Sequence, residues 1–238
     1  MKHSKYGKHI PWARFGFEGV LIIASILAAF SIDAWWDRQE KARQQMELVS
    51  ELRVDFETTR KRLSETIAFA DSINDRASQF LAMAASEEAA ELPDLRNRIG
   101  GAFLKINFAP VLSAYDSAVA TGRIGLIDST ALLESIAEFH QAWDYYKLHD
   151  QIAAEIFYVG PIWELRRELG SLRLLFREPD THPERFRRTD DEYREFFFRP
   201  AVYAAIETML TAQRNSAGGL RRMDEAAKDV LEKLEQFR

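Results

Sequence analysis

Cysteine is absent from this 238-residue chain. That absence excludes disulfides, thiol catalysis and the cysteine-based zinc, iron–sulfur and c-type haem motifs together. It leaves the compartment open, because a chain without thiols suits oxidising and reducing surroundings alike. An excess of positive charge is missing too: the formal net charge is −5, so there is no general pull toward nucleic acid, whose binding needs a basic face. No P-loop, GxGxxG, HExxH or GxSxG occurs, and each absence removes a large enzyme class. Di-metal sites in helical bundles need inward-facing Glu-x-x-His pairs, but the residues three before His140, His149 and His182 are Ala137, Tyr146 and Pro179. His140 and His149 would lie about 180° apart on one helix and could not share an ion there. Paired carboxylates such as Glu134 and Glu138 are what most solvated helices carry. The expectation is therefore no catalytic residue, no cofactor and no metal.

Glycine and proline are both missing from Val20 to Leu92. They are the strongest helix punctuators, so a run this long without them reads as one helix or two nearly collinear ones. Its first part, Val20 to Ile32, is VLIIASILAAFSI, apolar apart from two serines. Before it come Lys2, Lys5, Lys8 and Arg14, with His3 and His9 and no acid in residues 1–14. This is a positive-inside flank. A helix from Phe15 to Trp36 rises about 33 Å, enough to cross a hydrocarbon core.

Glu18 and Asp33 bracket the apolar stretch, and Trp35 and Trp36 follow it. Arg14, Glu18, Asp33, Trp35 and Trp36 are read as the membrane interface: acids near the ends reach headgroups, and tryptophans form an aromatic belt. Ala24/Ala28 and Ser25/Ala29 have the spacing that lets two spans pack closely. The competing reading is a cleaved signal peptide, with Ala29-Phe30-Ser31 as its cleavage box. The tryptophan pair and the helix that follows directly favour an uncleaved anchor.

Beyond Trp36 a stripe at alternating three- and four-residue steps runs through Val49, Leu52, Phe56, Thr59, Leu63, Thr66, Ala70, Ile73, Ala77 and Phe80. Arg53, Asp55, Glu57, Arg60, Lys61 and Arg62 fall on the remaining surface. A bundle helix is preferred to an exposed coiled-coil stalk, since the stripe contains two threonines and two alanines. Pro93 ends the long helix, and a short helix from Pro93 to about Arg98 breaks at Gly100-Gly101. Phe103 to Val119 follows, with Gly122 placed as a helix stop.

Asp128 or Ser129 can cap the next helix, Ser129 to about Val159. Its inward stripe is Leu132, Ile136, Phe139, Trp143, Tyr146, Asp150, Ala153 and Phe157. Asp150 is the intruder. With Tyr146 one turn away and His149 beside it, it forms a candidate polar ligand notch, set against the plainer reading of Asp150 turned to solvent or bonded to Tyr146. Gly160-Pro161 leads into a helix over Ile162–Phe176, with Gly170 as a weak point. Arg177 to Asp191 mixes arginines with acids and reads as an exposed, solvated loop rather than a phosphate site. The last stripe, Val202, Ile206, Met209, Gln213, Ser216, Leu220, Met223, Ala227, Val230, Leu234 and Phe237, keeps its phase through Gly218-Gly219. One helix from about Pro200 to Phe237 is predicted, thinned at the glycines for a close neighbour.

The span from Phe17 to Glu57 and the block from Tyr115 to Tyr146 resemble an uncharacterised bacterial family of small, N-terminally anchored helical proteins, catalogued as a domain of unknown function. The matching features are Glu18-Gly19, the tryptophan after the span, Leu52 through Phe56, and Tyr115 followed by Gly122, Leu126-Ile127 and Leu132. The resemblance implies an anchor rather than a signal peptide; it supplies no activity.

The expected architecture is all-α: a basic cytoplasmic tail at residues 1–14, a transmembrane helix at 15–36 and an extracytoplasmic antiparallel bundle of long helices at 37–238. The expected location is the bacterial inner membrane, with the amino end cytoplasmic and the bulk of the chain periplasmic. The expected partners are the lipid bilayer and other membrane proteins or a second copy of the chain, in a scaffold or accessory role. The alternative is a ligand-sensing or carrier bundle built on Tyr146, His149 and Asp150.

Overall fold

The computed structural model describes residues 12–86, 95, 100–169 and 189–237. Every regular element among them is helical, with no strand. The chain divides into two units, Met1–Leu48 and Val49–Arg238.

Helix α1 runs over Trp12–Ala84. In its first unit the side chains from Val20 to Trp36 stand in solvent on every face. The next turns are polar and stabilise themselves: Arg43 Nη2 lies 2.7 Å from Glu40 Oε1, and Gln44 donates to the same oxygen at 2.8 Å. Those two bonds, led by the one from Arg43, hold the exposed Glu40 carboxyl down at about 2. In the second unit the predicted stripe is buried at every position from Val49 to Phe80 except Thr66, which is half-buried.

Two sequence expectations for this region need correction. The helix stops at Ala84, before Pro93, because Ser86 turns back on the last turn, donating from both its N–H (3.1 Å) and its hydroxyl (2.8 Å) to the Met83 carbonyl. Asp55 is buried at 8% exposure rather than on the surface. Between Phe103 and Thr121 only Ser113–Ala120, α2, is an α-helix; a 3-10 turn at Gly100–Phe103 and an irregular strap, residues 104–112, precede it. Of the short helix expected from Pro93, only Leu95 is described, helical and buried. Residues 1–11, Gly170 to Phe176 and Arg177 to Arg188 lie outside the described residues.

Gly122 ends α2 as the spacing predicts. It takes φ +74°, and its N–H reaches the Val119 carbonyl at 3.2 Å. Left-handed backbone just past a helix end costs glycine nothing because it has no Cβ. A second 3-10 turn, Arg123–Leu126, leads to α3, Thr130–Tyr158. Ser129 supplies the N-cap, its side chain accepting from Leu132 N at 3.2 Å. Helix α4, Pro161–Leu169, starts on a proline, whose fixed φ suits a first helical position. Helix α5, Asp190–Phe197, has a capping box between Thr189 and Glu192. Helix α6, Pro200–Glu235, passes unbroken through both glycines, and its predicted stripe is buried from Val202 to Leu234.

The second unit packs α1, α3 and α6 along one another, and the contacts fix their order. Along α1, Arg53 meets Leu234, Arg60 meets Asp224, Asp71 meets Arg221 and Ser78 meets Arg214. Along α3, Ser135 meets Asp229 and Tyr146 meets Gly219. In both series the partner's number falls as the first rises. The Arg53 guanidinium donates at 2.9 Å to the Leu234 carbonyl, in the last turn of α6, where a cation is favoured. Gly219 sets the closest approach: a Cβ there would sit 3.0 Å from Tyr146 Cα. Gly218 has nothing within 4 Å, so of the predicted thinning only Gly219 is used. An apolar cluster including Phe80, Phe157, Phe197 and Ile206 fills one end of the unit. Each such side chain stabilises the fold by about 1.5–3 kcal/mol.

Candidate functional site

Two regions were singled out from the sequence, and they sit in different units. The first is the apolar part of α1, where Val20, Leu21, Ile22, Ile23, Ile26, Leu27, Phe30 and Ile32 are 50–66% exposed. Both serines in this stretch bond back one turn: Ser25 Oγ donates to Leu21 O at 2.8 Å and Ser31 Oγ to Leu27 O at 2.7 Å. Neither hydroxyl therefore presents an unpaired donor to its surroundings. Glu18 and Asp33 are exposed at the two ends, and Arg14 lies in the first turn. Trp35 and Trp36 are exposed and meet edge to face at 5.2 Å. Val20–Ala84 contains the one helical stretch among the described residues that is long and apolar enough to cross a membrane.

The second region is the Tyr146–Asp150 notch. Tyr146 is buried in an aromatic wall: Trp143 stacks on it at 5.5 Å and Phe108 of the strap meets it at 6.2 Å. Its hydroxyl donates to Asp150 Oδ1 at 3.2 Å. The same oxygen takes an ion pair from Lys105 Nζ at 2.8 Å. Lys105 was not foreseen as part of this site. Its amine also donates to Asn107 Oδ1 (2.8 Å) and the Ile106 carbonyl (3.2 Å), so all three ammonium protons have acceptors. Burial, then the Asp150 charge and the hydrogen bond to it, push the Tyr146 phenol well above its usual range, against a backbone bond with Phe108. His149 does not join them; its ring packs on Tyr145 at 4.4 Å. The structure thus brings Tyr146 and Asp150 together around a lysine from the strap and turns His149 to another neighbour.

The strap is fastened at its other end by α1. Thr59 Oγ1 donates to Val111 O at 3.1 Å and accepts from Val111 N at 2.9 Å. One turn earlier Asp55 accepts from Ala114 N at 2.7 Å and from the Ser113 hydroxyl at 3.2 Å. A carboxylate from another helix thereby caps α2. Gln213 of α6 donates to the Leu104 carbonyl. These polar groups dock a length of irregular backbone that cannot satisfy itself.

Two open grooves flank this framework. One, about 460 Å³, is lined by Ser50, Val54, Asp55, Ser113, Ser117 and the Arg123–Glu51 ion pair. The other, about 380 Å³, lies between α3 and α6 and is lined by Ile152, Ile156, Thr208, Thr211 and Ala212. Ile152, which lines it, is exposed, as are Leu148 one turn earlier on α3 and Val159 just past its end. No group of three His, Asp or Glu side chains suited to a metal occurs among the described residues. No protein-family model, curated protein or solved structure matches the chain.

Proposed function

We propose that the protein is a single-pass membrane protein whose residues 37–238 form an antiparallel helical bundle acting through protein contacts, as a scaffold or accessory subunit. The observation that carries this reading is the collar of exposed apolar side chains from Val20 to Ile32. A helix that is apolar on all faces has no favourable orientation in water. Moving those eight large side chains into hydrocarbon is worth on the order of 10–20 kcal/mol, far more than two self-bonded serines cost. The tryptophan pair then lies at headgroup level. The falling order of contacts along α1–α6 and α3–α6 supports the antiparallel arrangement. The exposed Leu148, Ile152 and Val159, with Ile152 lining an open groove, support a contact surface for a protein.

The basic residues Lys2, Lys5, Lys8 and Arg14 support, by the positive-inside rule, an amino end in the cytoplasm of a bacterial inner membrane and a bundle in the periplasm. The alternative, a ligand-sensing or carrier bundle at Tyr146, His149 and Asp150, has less support, since Lys105 already neutralises Asp150. The cysteine-free sequence makes the test direct. In spheroplasts, an impermeant maleimide should label Glu138→Cys at once and Lys5→Cys only after permeabilisation, and carbonate washing should leave the protein in the membrane. Release by carbonate, or the reverse labelling pattern, overturns the reading.

A further inference from the structure

His140 sits on α3 and faces α2. Its ring packs at 4.5 Å, tilted 43°, on Tyr115 of α2, and at 6.1 Å edge to face on Phe139 of its own helix. Phe139 in turn meets Phe56 of α1 at 5.1 Å. The His140 Nε2 atom is buried and has no hydrogen-bond partner. A neutral imidazole tolerates this, because one of its nitrogens can stay a bare acceptor; an imidazolium cannot, because both nitrogens are then donors.

The charged groups around it fall on the solvent side. Asp116 of α2 and Asp144 of α3 are exposed, and Lys147 already holds Asp144 at 2.6 Å. On α1, Asp55 is engaged by the first turn of α2, and Arg62 lies over the Phe108 ring at 6.0 Å. Burial, helped by Lys147, holds the imidazole below its usual value in spite of the pull of Asp116 and Asp144.

The bonds described for α2 and the residues next to it run to α1, Thr59 with Val111, Asp55 with Ala114 and Glu51 with Arg123, while the far end of the strap is held to α3 by Lys105 and Asp150. Among the interactions described, the ring contact of Tyr115 with His140 is the one that joins α2 to α3. We propose that Tyr115 and His140 form a proton-operated latch: the neutral imidazole holds α2 against α3, and protonation in mild acid sends the ring toward Asp116 and Asp144 and frees α2 to lift from α3 on its α1 tethers. The sign follows from linkage. The closed state binds the proton less well than an open one, so the latch is intact above the ordinary histidine value of about 6.5 and weakens as pH falls below it.

Hydrogen exchange of the full-length protein in mild detergent, corrected for the intrinsic pH dependence, tests this. Amides of residues 113–120 should exchange about tenfold faster at pH 5.0 than at pH 7.5. His149→Gln should keep the response. His140→Phe, which retains a ring but takes no proton, should abolish it, and His140→Gln serves the same purpose should the phenylalanine variant not fold. Tyr115→Ala should exchange fast at both pH values. The proposal is overturned by an acid response that survives both His140 substitutions, by no response in the native protein, by equal acceleration in α3 and α6, or by slow exchange in Tyr115→Ala at pH 7.5.

Discussion

Lys105 Nζ lies 2.8 Å from Asp150 Oδ1, and the two side chains are 5% and 28% exposed. Lys105 belongs to the strap and Asp150 to α3, so the pair joins irregular backbone to a helix that forms without it. Removing one partner leaves a largely buried ammonium short of an acceptor and the Tyr146 hydroxyl without one. Asp150→Ala should therefore cost about 3 kcal/mol, and Asp150→Asn, which keeps an acceptor, about 1–2 kcal/mol. The double variant Lys105→Met/Asp150→Leu should cost less than the sum of the single changes. Denaturant midpoints in mild detergent, followed by circular dichroism, check all three. Losses under 0.5 kcal/mol for Asp150→Ala would mean the strap is held elsewhere.

The adjacent glycines of α6 should respond with opposite signs. A methyl at Gly218 meets nothing within 4 Å, so Gly218→Ala gains helix propensity and should stabilise by about 0.8–1 kcal/mol. At Gly219 the methyl would stand 3.0 Å from Tyr146 Cα and 3.1 Å from its Cβ. Backbone cannot swing aside as a side-chain tip can. Gly219→Ala should lose about 1–3 kcal/mol to overpacking, more than its propensity gain returns. The same thermal or denaturant measurement decides both, and matching signs would refute the close approach of α3 and α6.

How far the chain could be read beforehand follows from which signals are periodic. The stripes on α1 and α6 repeat over many turns, so Leu52, Phe56, Ile206 and Leu220 could be assigned to the core from spacing alone. The Gly122 stop was legible because it depends on one residue type at one position, and the cap of α3 was legible as Asp128 or Ser129, of which the structure uses Ser129. Asp55 was misread because its partner, Ala114, is distant in sequence, and a carboxylate between Val54 and Phe56 carries no mark of that bond. Lys105 was invisible as the partner of Asp150 for the same reason. Thr59 had left a trace, as a polar residue interrupting an apolar stripe, but not the identity of Val111. Helix α5 is a different case: its Thr189-x-x-Glu192 box is a local signal, but it adjoins a loop dense in the same charged residue types.

Asp55 and Thr59 make a third prediction. They are one turn apart on α1 and hold consecutive parts of the chain, α2 and the strap. Asp55→Ala removes a helix cap and should cost about 1–2 kcal/mol. Thr59→Val keeps the shape but strands both the N–H and the C=O of Val111, for about 1–3 kcal/mol. Protease sensitivity near Arg123 should rise in both, since that residue follows directly on α2. Unchanged stability together with unchanged cleavage would show that α2 needs neither anchor.

Tyr146 gives the last prediction. An unfolded tyrosine titrates near 10, while burial, the Asp150 charge and the bond to that carboxylate push Tyr146 well above this. The sign is that of a group held neutral by the fold: its contribution is complete below pH of about 10 and is lost as pH rises toward the folded value, because only the unfolded chain can release the proton. Absorbance of tyrosinate near 295 nm should therefore show one of the seven tyrosines staying protonated until the protein unfolds, then ionising together with the loss of helix. In Tyr146→Phe that late step should vanish, at a cost near neutral pH of about 1 kcal/mol for the missing hydrogen bond. If the native protein instead completes its tyrosine titration while still helical, the phenol is reaching water. The closed notch formed by Lys105, Tyr146 and Asp150 would then have to open in solution.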